Sequence, residues 1–301
     1  MRMFIFFGRI MLLAFALSSF GYADVRAMTI NTEWLWTPFD KKVDGSLKHL
    51  KDMSKADYIE EIHFYAQQIQ ARSIDVVALS EIENEQVANE LVRELNTRMN
   101  KELDSEWKAY FKQGRDTATG QDVAIISRLP YVEGSLTDFN FPAGFIAGAG
   151  KAKKLSKVVG AQFWVKNKLK KQKMGVITAH LLSKRHENNK KATNRQKQAL
   201  GLKQAIDRFR TSSDALIVMG DFNDYLSSST LTIIIDKHLS TYKNCGNFLV
   251  EEKIKETKRW LRHIDHLLYS GFNCIGQYKL DLQGFSDHPA IYGEFVMHQA
   301  K

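Results

Sequence analysis

The chain has 301 residues, 44% of them hydrophobic and 26% charged, with only four prolines and 18 glycines. That composition excludes a low-complexity or repeat architecture and supplies the apolar material for one large domain or two small ones. The formal net charge is +9, and residues 151–203 hold 16 Lys or Arg against the single acid Glu187. Such polarisation points to a polyanionic partner, nucleic acid or an anionic membrane, over the alternative of a merely solvated basic face.

Residues 1–23 read as an export signal. Arg2 and Arg9 give a positive start, Ile10 to Leu17 is apolar, and Gly21-Tyr22-Ala23 is an A-x-A-like cleavage site. The run is too short to span a bilayer. Residues 24–301 are expected to form one domain, secreted or periplasmic, monomeric and without stable membrane insertion. Cys245 and Cys274 are the only cysteines. In an oxidising compartment they are able to pair, with two separate thiols as the alternative.

Met28 to Trp36 alternates and is rich in β-formers, predicting a first strand with Asn31 late on it. Ala56 to Arg72 has helical spacing. Ile74 to Leu79 reads as a buried strand that ends in Ser80-Glu81-Ile82-Glu83-Asn84, and Glu85 to Lys101 returns to helical spacing. Trp107 to Lys112 and Val123 to Ile126 are strand-like, with Asp122 leading into the second. The segment from Phe139 to Gly150 reads as loop. Lys157–Lys166 and Lys173–Ala179 are predicted strands joined by a lysine-rich turn, and the second ends at His180. Asn189 to Phe209 is a long basic helix. Leu216 to Tyr225, LIVMGDFNDY, is the most informative stretch. An unbroken apolar strand ends in Asp221 and Asn223, two residues apart and so on one face of an extended backbone. Ile264 to Tyr269 is a short strand carrying Asp265, with His263 and His266 beside it as structural histidines. Gly284 to Pro289 is a turn holding Asp287 and His288, before a last strand from Ala290 to Val296.

Strands alternating with helices, each delivering polar residues at its end, predict an α/β fold with the site along one sheet edge. The collected set is Asn31, Glu81, Asp122, His180, Asp221, Asn223, Asp265, Asp287 and His288. Carboxylates and amides suit a hard divalent ion, Mg²⁺ or else Mn²⁺ or Ca²⁺. No CxxC, HExxH, phosphate-cradling glycine loop or G-x-S-x-G elbow is present. Two histidines beside carboxylates suit general acid–base work, and with a divalent ion the set suits phosphodiester hydrolysis.

In order along the chain, N-T-E-W, A-L-S-E-I-E, A-H-L-L-S, G-D-F-N-D, I-D-H-L-L and S-D-H-P resemble the motifs of the endonuclease/exonuclease/phosphatase superfamily, on its deoxyribonuclease I-like branch. The resemblance covers Met28 to about Phe295. It implies a four-layer α/β sandwich of two packed mixed sheets flanked by helices. It implies Glu81 as principal metal ligand with Asn31 and Asp287 near the ion, and Asp221 and Asn223 orienting water and phosphate. It also implies His288 as general base held by Asp265, and His180 as general acid with Asp122 as its orienting acid. Arg115, Lys184, Arg185 and Arg195 are candidate phosphate contacts. The expected activity is a nuclease cutting DNA, with RNA as a secondary candidate, with little sequence preference. The rival is a phosphodiesterase of a lipid head group, like the family's secreted sphingomyelinases, for which Phe139 to Phe145 is the candidate membrane hairpin.

Overall fold

The computed structural model describes residues 23–37, 54–98, 106–115, 119–139, 155–166, 170–251 and 264–298. The apolar leader, His263 and all of the 139–145 hairpin except Phe139 lie outside the described residues. The elements, in order, are β1 (Val25–Leu35), α1 (Lys55–Ala71), β2 (Val76–Ile82), α2 (Glu85–Thr97), β3 (Lys108–Phe111), β4 (Asp122–Ser127), β5 (Thr137–Asp138), β6 (Val158–Lys166) and β7 (Lys171–Ala179). They continue with α3 (Asn189–Arg210), β8 (Ala215–Asp221), α4 (Ser229–Ile234), β9 (Asn247–Glu251), β10 (Asp265–Ser270), β11 (Phe272–Leu280) and β12 (Ala290–Met297).

The strands form two mixed sheets, ordered β3-β4-β2-β1-β12-β11-β9 and β10-β8-β7-β6-β5. Alternation along each strand sorts side chains between faces. On β2, Val76 and Ala78 face the second sheet, packing in one core with Val159 and Phe163 of β6 and Ile217 and Met219 of β8. The residues between them, Val77 and Leu79, pack with Tyr65 and Ile69 of α1 and Leu91 and Leu95 of α2. On β8, Leu216 and Val218 turn to the opposite side, against Leu202, Ile206 and Phe209 of α3 and Leu231 of α4. Three cores thus separate four layers, helix–sheet–sheet–helix, as the sequence motifs implied. Burial on both sides explains why β2 and β8 read as continuous apolar runs.

Caps place the helices. Ser54 and Asp57 form a capping box at the start of α1, and the Asn84 and Asn188 side chains accept from Val87 N and Lys191 N. Three elements carry no clear local signal. α4 is STLTII, β-branched and strand-like by propensity, yet Ser228 caps it and it packs beside α3. β9 and β11 are interrupted by polar residues and Gly276, and pairing of β11 with β12 and β9 defines them. Cys245 and Cys274 are joined by a disulfide closing a 29-residue separation that contains β10. Among the described residues no helix is long and apolar enough to cross a membrane.

Candidate active site

β1, β2, β7, β8 and β10 end at one edge of the sandwich, and each delivers a side chain there. β2 does so through a bulge. Its pairing with β1 runs Asn31↔Ser80 and then Leu35↔Ile82, and its pairing with β4 runs Ser80↔Val123 and then Ile82↔Asp122. Glu81 is the residue left over on both sides, with φ +64°, so the bulge turns its carboxylate out of the ladder. Glu33, Trp34 and Asn223 also hold left-handed φ values, +46°, +72° and +52°. Gly220, at φ +140°, closes against β7, where an added Cβ would lie 2.2 Å from Ala179 O. Only glycine fits there.

The carboxylates converge. Asn31 Nδ2 donates to Glu81 Oε1 at 3.2 Å and to Asp221 Oδ2 at 3.1 Å. Asp221 and Asp265 are cross-strand neighbours on β8 and β10, an unfavourable placement of like charges unless a cation compensates them. His180 Nε2 lies 3.7 Å from Glu81 Oε1 and 3.6 Å from Asp221 Oδ2. His288 Nδ1 meets Asp265 Oδ2 at 2.6 Å. The turn carrying His288 is anchored by Tyr65, whose hydroxyl donates to Phe285 O, and by Phe64 stacked on Phe285. Ser286 Oγ accepts from His288 N. Asp287 N donates to Glu33 Oε2, tying this turn to the end of β1.

Burial pushes Glu81 up from its ordinary value, and burial with the charge of Asp265 pushes Asp221 up. His288 goes the other way from a buried base: burial opposes its charge, but Asp265, then Asp221 and Asp287, outweigh that and raise it to about 11. His180 is fully enclosed, and burial, Lys157 and His288 hold it well below its usual range, so it is neutral at neutral pH. These residues fit a hard divalent cation. Ligand atoms of Glu81, His180 and Asp221 lie within 4.8 Å of one another, as do those of Asp221, Asp265 and His288. The buried Asp265 Oδ1 has no hydrogen-bond partner.

Several expected roles change in three dimensions. Asp122 does not orient His180: its carboxylate accepts from Gly114 N and Gln113 Nε2, and His180 Nδ1 is buried without a partner. A neutral His180 facing two acids does not suit a general acid. Asn223 has spent its amide, with Nδ2 donating to Asp221 Oδ2 and Leu181 O and Oδ1 accepting from Lys184 N. It braces Asp221 and has no donor left for a phosphate. Asn31 braces Glu81 and Asp221 in the same way, while its Oδ1 accepts from Glu33 N. Arg195 is 1% exposed and bridges Asp224 and Glu187, and Lys184 Nζ donates to Asp224. Burial withdraws Arg195 from any phosphate, while the half-buried Lys184 shares its ammonium with Asp224. Arg115 and Arg185 are exposed and remain available.

His266 is structural, as expected: it stacks on Phe222 and its Nε2 lies 2.8 Å from Asp224 O. Glu83 Oε2 accepts from the backbone N–H and the hydroxyl of Thr37. Phe139 is buried edge-on against Phe209, a core residue and not a membrane anchor. Lys157 had no motif to reveal it, and Asp224 stood in the G-D-F-N-D motif without an assigned role. Lys157 is buried with its amine donating to Gln121, and its charge acts on both Glu81 and His180. Asp224 gathers Arg195, Lys184 and Thr230 directly behind Asn223.

Similar folds are known. An endonuclease/exonuclease/phosphatase from Bacteroides vulgatus superposes with a TM-score of 0.62 at 14% identity, covering 91% of this chain and 99% of that one. A mannosyl-6-phosphatase of Bacteroides thetaiotaomicron gives 0.58 at 15%, covering 91% and 100%. The human Nocturnin catalytic domain with a bound sulfate anion gives 0.58 at 15%, covering 91% and 94%. No curated protein matches the chain. The Endonuclease/Exonuclease/phosphatase family model matches residues 54–288, a span that runs from the cap of α1 to His288. The chain therefore belongs to the endonuclease/exonuclease/phosphatase family, hydrolases of phosphoester bonds that are generally dependent on divalent metals.

Proposed function

We propose that the protein is an exported, monomeric nuclease that hydrolyses phosphodiester bonds of DNA, with RNA as a secondary substrate, with little sequence preference, using Mg²⁺ or, in its place, Mn²⁺ or Ca²⁺. The observation that carries the reading is His288 clamped by Asp265 at 2.6 Å beside the acids Glu81 and Asp221. Glu81, Asp221 and Asp265 would hold the ion, with His180 as a neutral imidazole beside them. When bound, the ion supplies the positive charge that acidifies water, offsets charge on the phosphorane-like transition state and lets His288 fall back towards a neutral-range base.

The chain's own residues do the rest. Asp265 fixes the tautomer of His288, so that Nε2 faces the site and takes the proton of the attacking water. Asn31 and Asn223 hold Asp221 in place, and the buried charge of Lys157 acts on Glu81 and His180. The choice of nucleic acid as substrate rests on the +9 charge and its concentration in residues 151–203.

Protein spanning residues 24–301 would be incubated with supercoiled plasmid in Mg²⁺, Mn²⁺, Ca²⁺ or EDTA, beside a sphingomyelin hydrolysis assay. Metal-dependent nicking, lost in EDTA and in His288→Ala, is expected; a circle offers no end, so nicking identifies an endonuclease. Intact plasmid with release of phosphocholine would overturn the nuclease reading in favour of the lipid one.

A further inference from the structure

Among the described residues, the cations of this basic stretch are not all placed alike. Three are neutralised internally: Lys184 and Arg195 by Asp224, and Lys203 by Asp207 and Asp236. At the Lys166–Lys171 end of the β6–β7 hairpin the pattern reverses. Lys166 and Lys171 are exposed and directly opposite each other in the ladder, and Lys173 is opposite Trp164. Lys171 Nζ lies 4.7 Å and Lys173 Nζ 5.7 Å from the centroid of the Trp164 ring. Among the described residues none of these three lysines forms an ion pair.

Alternation places the cluster. Phe163, Val165 and Met174 face the core between the sheets, so Trp164, Lys166, Lys171 and Lys173 share the opposite face, the one α3 covers. α3 ends at Arg210, with the Phe209 ring packed against Gly160 and Gly175. The lysines therefore lie just past the helix end. His180 is nine residues along from Lys171, about 30 Å on an extended strand. α3 covers the same span, about 33 Å for its 22 residues.

We infer that Lys166, Lys171, Lys173 and Trp164 form a second nucleic-acid-binding surface, remote from the catalytic cleft, that holds the phosphate backbone of a long substrate. Like charges set opposite one another cost stability, and a polyanion laid across them compensates that charge. Two ammonium groups lie over the Trp164 ring, so the surface offers cations to phosphates ahead of a free ring face to bases. The exposed large apolar residues among those described, Ile59 and Leu200, lie elsewhere, so the cluster lacks the apolar surface that a bilayer anchor buries. The inference rests on the nucleic-acid reading and adds a chain-length dependence. At 3.4 Å per base pair, duplexes shorter than about ten pairs cannot reach both places.

The test compares the wild type with the triple variant Lys166→Gln, Lys171→Gln, Lys173→Gln, after their melting temperatures are shown to agree. Binding of a 40-base-pair duplex in EDTA is followed against salt, and hydrolysis of that duplex and of bis(p-nitrophenyl) phosphate is followed with metal. The expected result is a salt slope shallower by up to about 2.7, a KM on the duplex raised about tenfold and unchanged turnover of the small diester. An unchanged slope and KM would overturn the surface and leave the nuclease reading standing. Lysine-dependent duplex binding without cleavage would support the surface and remove the nuclease reading. Lysine-dependent binding to phosphatidylserine vesicles, with duplex binding unaffected, would overturn the nucleic-acid occupant.

Discussion

Replacing Arg195 by Met tests the site where local sequence and three-dimensional packing disagree most. The guanidinium is 1% exposed. Its Nη2 donates to Glu187 Oε1 at 2.6 Å and to Asp224 Oδ2 at 3.1 Å, and its Nε donates to Asp224 Oδ2 at 3.2 Å. Removing one partner of such a buried pair costs about 3–5 kcal/mol. In a domain of this size that is a fall in melting temperature of roughly 6–20 °C. Asp224 precedes Tyr225 in the loop that carries Asn223, and Lys184 contacts both residues, so turnover should fall about tenfold or more while KM moves little. Thermal unfolding of Arg195→Met, Asp224→Asn and the double variant closes a cycle, with a coupling of about 1–3 kcal/mol expected. If Arg195→Met melts within about 0.5 kcal/mol of wild type while its DNA-binding salt slope drops by about 0.9, the arginine touches phosphate and the buried-pair argument is wrong.

His288→Ala should lower turnover by about 10²-fold or more without unfolding the protein; near-native rates would remove His288 from the chemistry. In EDTA the stabilisation from the His288–Asp265 pair is complete below about pH 6.5, the ordinary value of histidine, and is lost as pH rises through about 11. Melting temperature measured across that window should therefore fall with pH, and the slope should flatten in His288→Ala. Because His288 and the ligand Asp221 both hold raised values in the metal-free site, Mg²⁺ binding at pH 8 should release protons. Calorimetry in buffers of different ionisation enthalpy would read this, and zero release would contradict the raised values. Glu81→Gln should shift the metal titration to higher concentration, and an unchanged curve would exclude Glu81 as a ligand. Reducing and alkylating Cys245 and Cys274 should cost about 3–4 kcal/mol in the chain-entropy model; an unmoved melting temperature would show that the 29-residue closure adds nothing.

What the sequence determined by itself was the layering and the inventory. β2 and β8 were legible as apolar runs because both faces of each strand are buried, and the residues that converge at their ends were legible because a strand end is a position set by local pattern. α4, β9 and β11 were not legible, since pairing and packing with distant segments define them against weak or contrary local preference. Roles were decided only by the tertiary structure. Nothing near Arg195 in the chain marks it as buried; its fate follows from α3 lying against the loop after β8, where Asp224 waits. Asp122 turns to Gly114, Asn223 spends its amide on Asp221 and Leu181, and Lys157 arrives beside His180 from the bend before β6. Local sequence records which side chains a face buries, whereas charge state and hydrogen-bond partner depend on which strangers in the chain meet there, and burial makes those few contacts strong enough to set the chemistry.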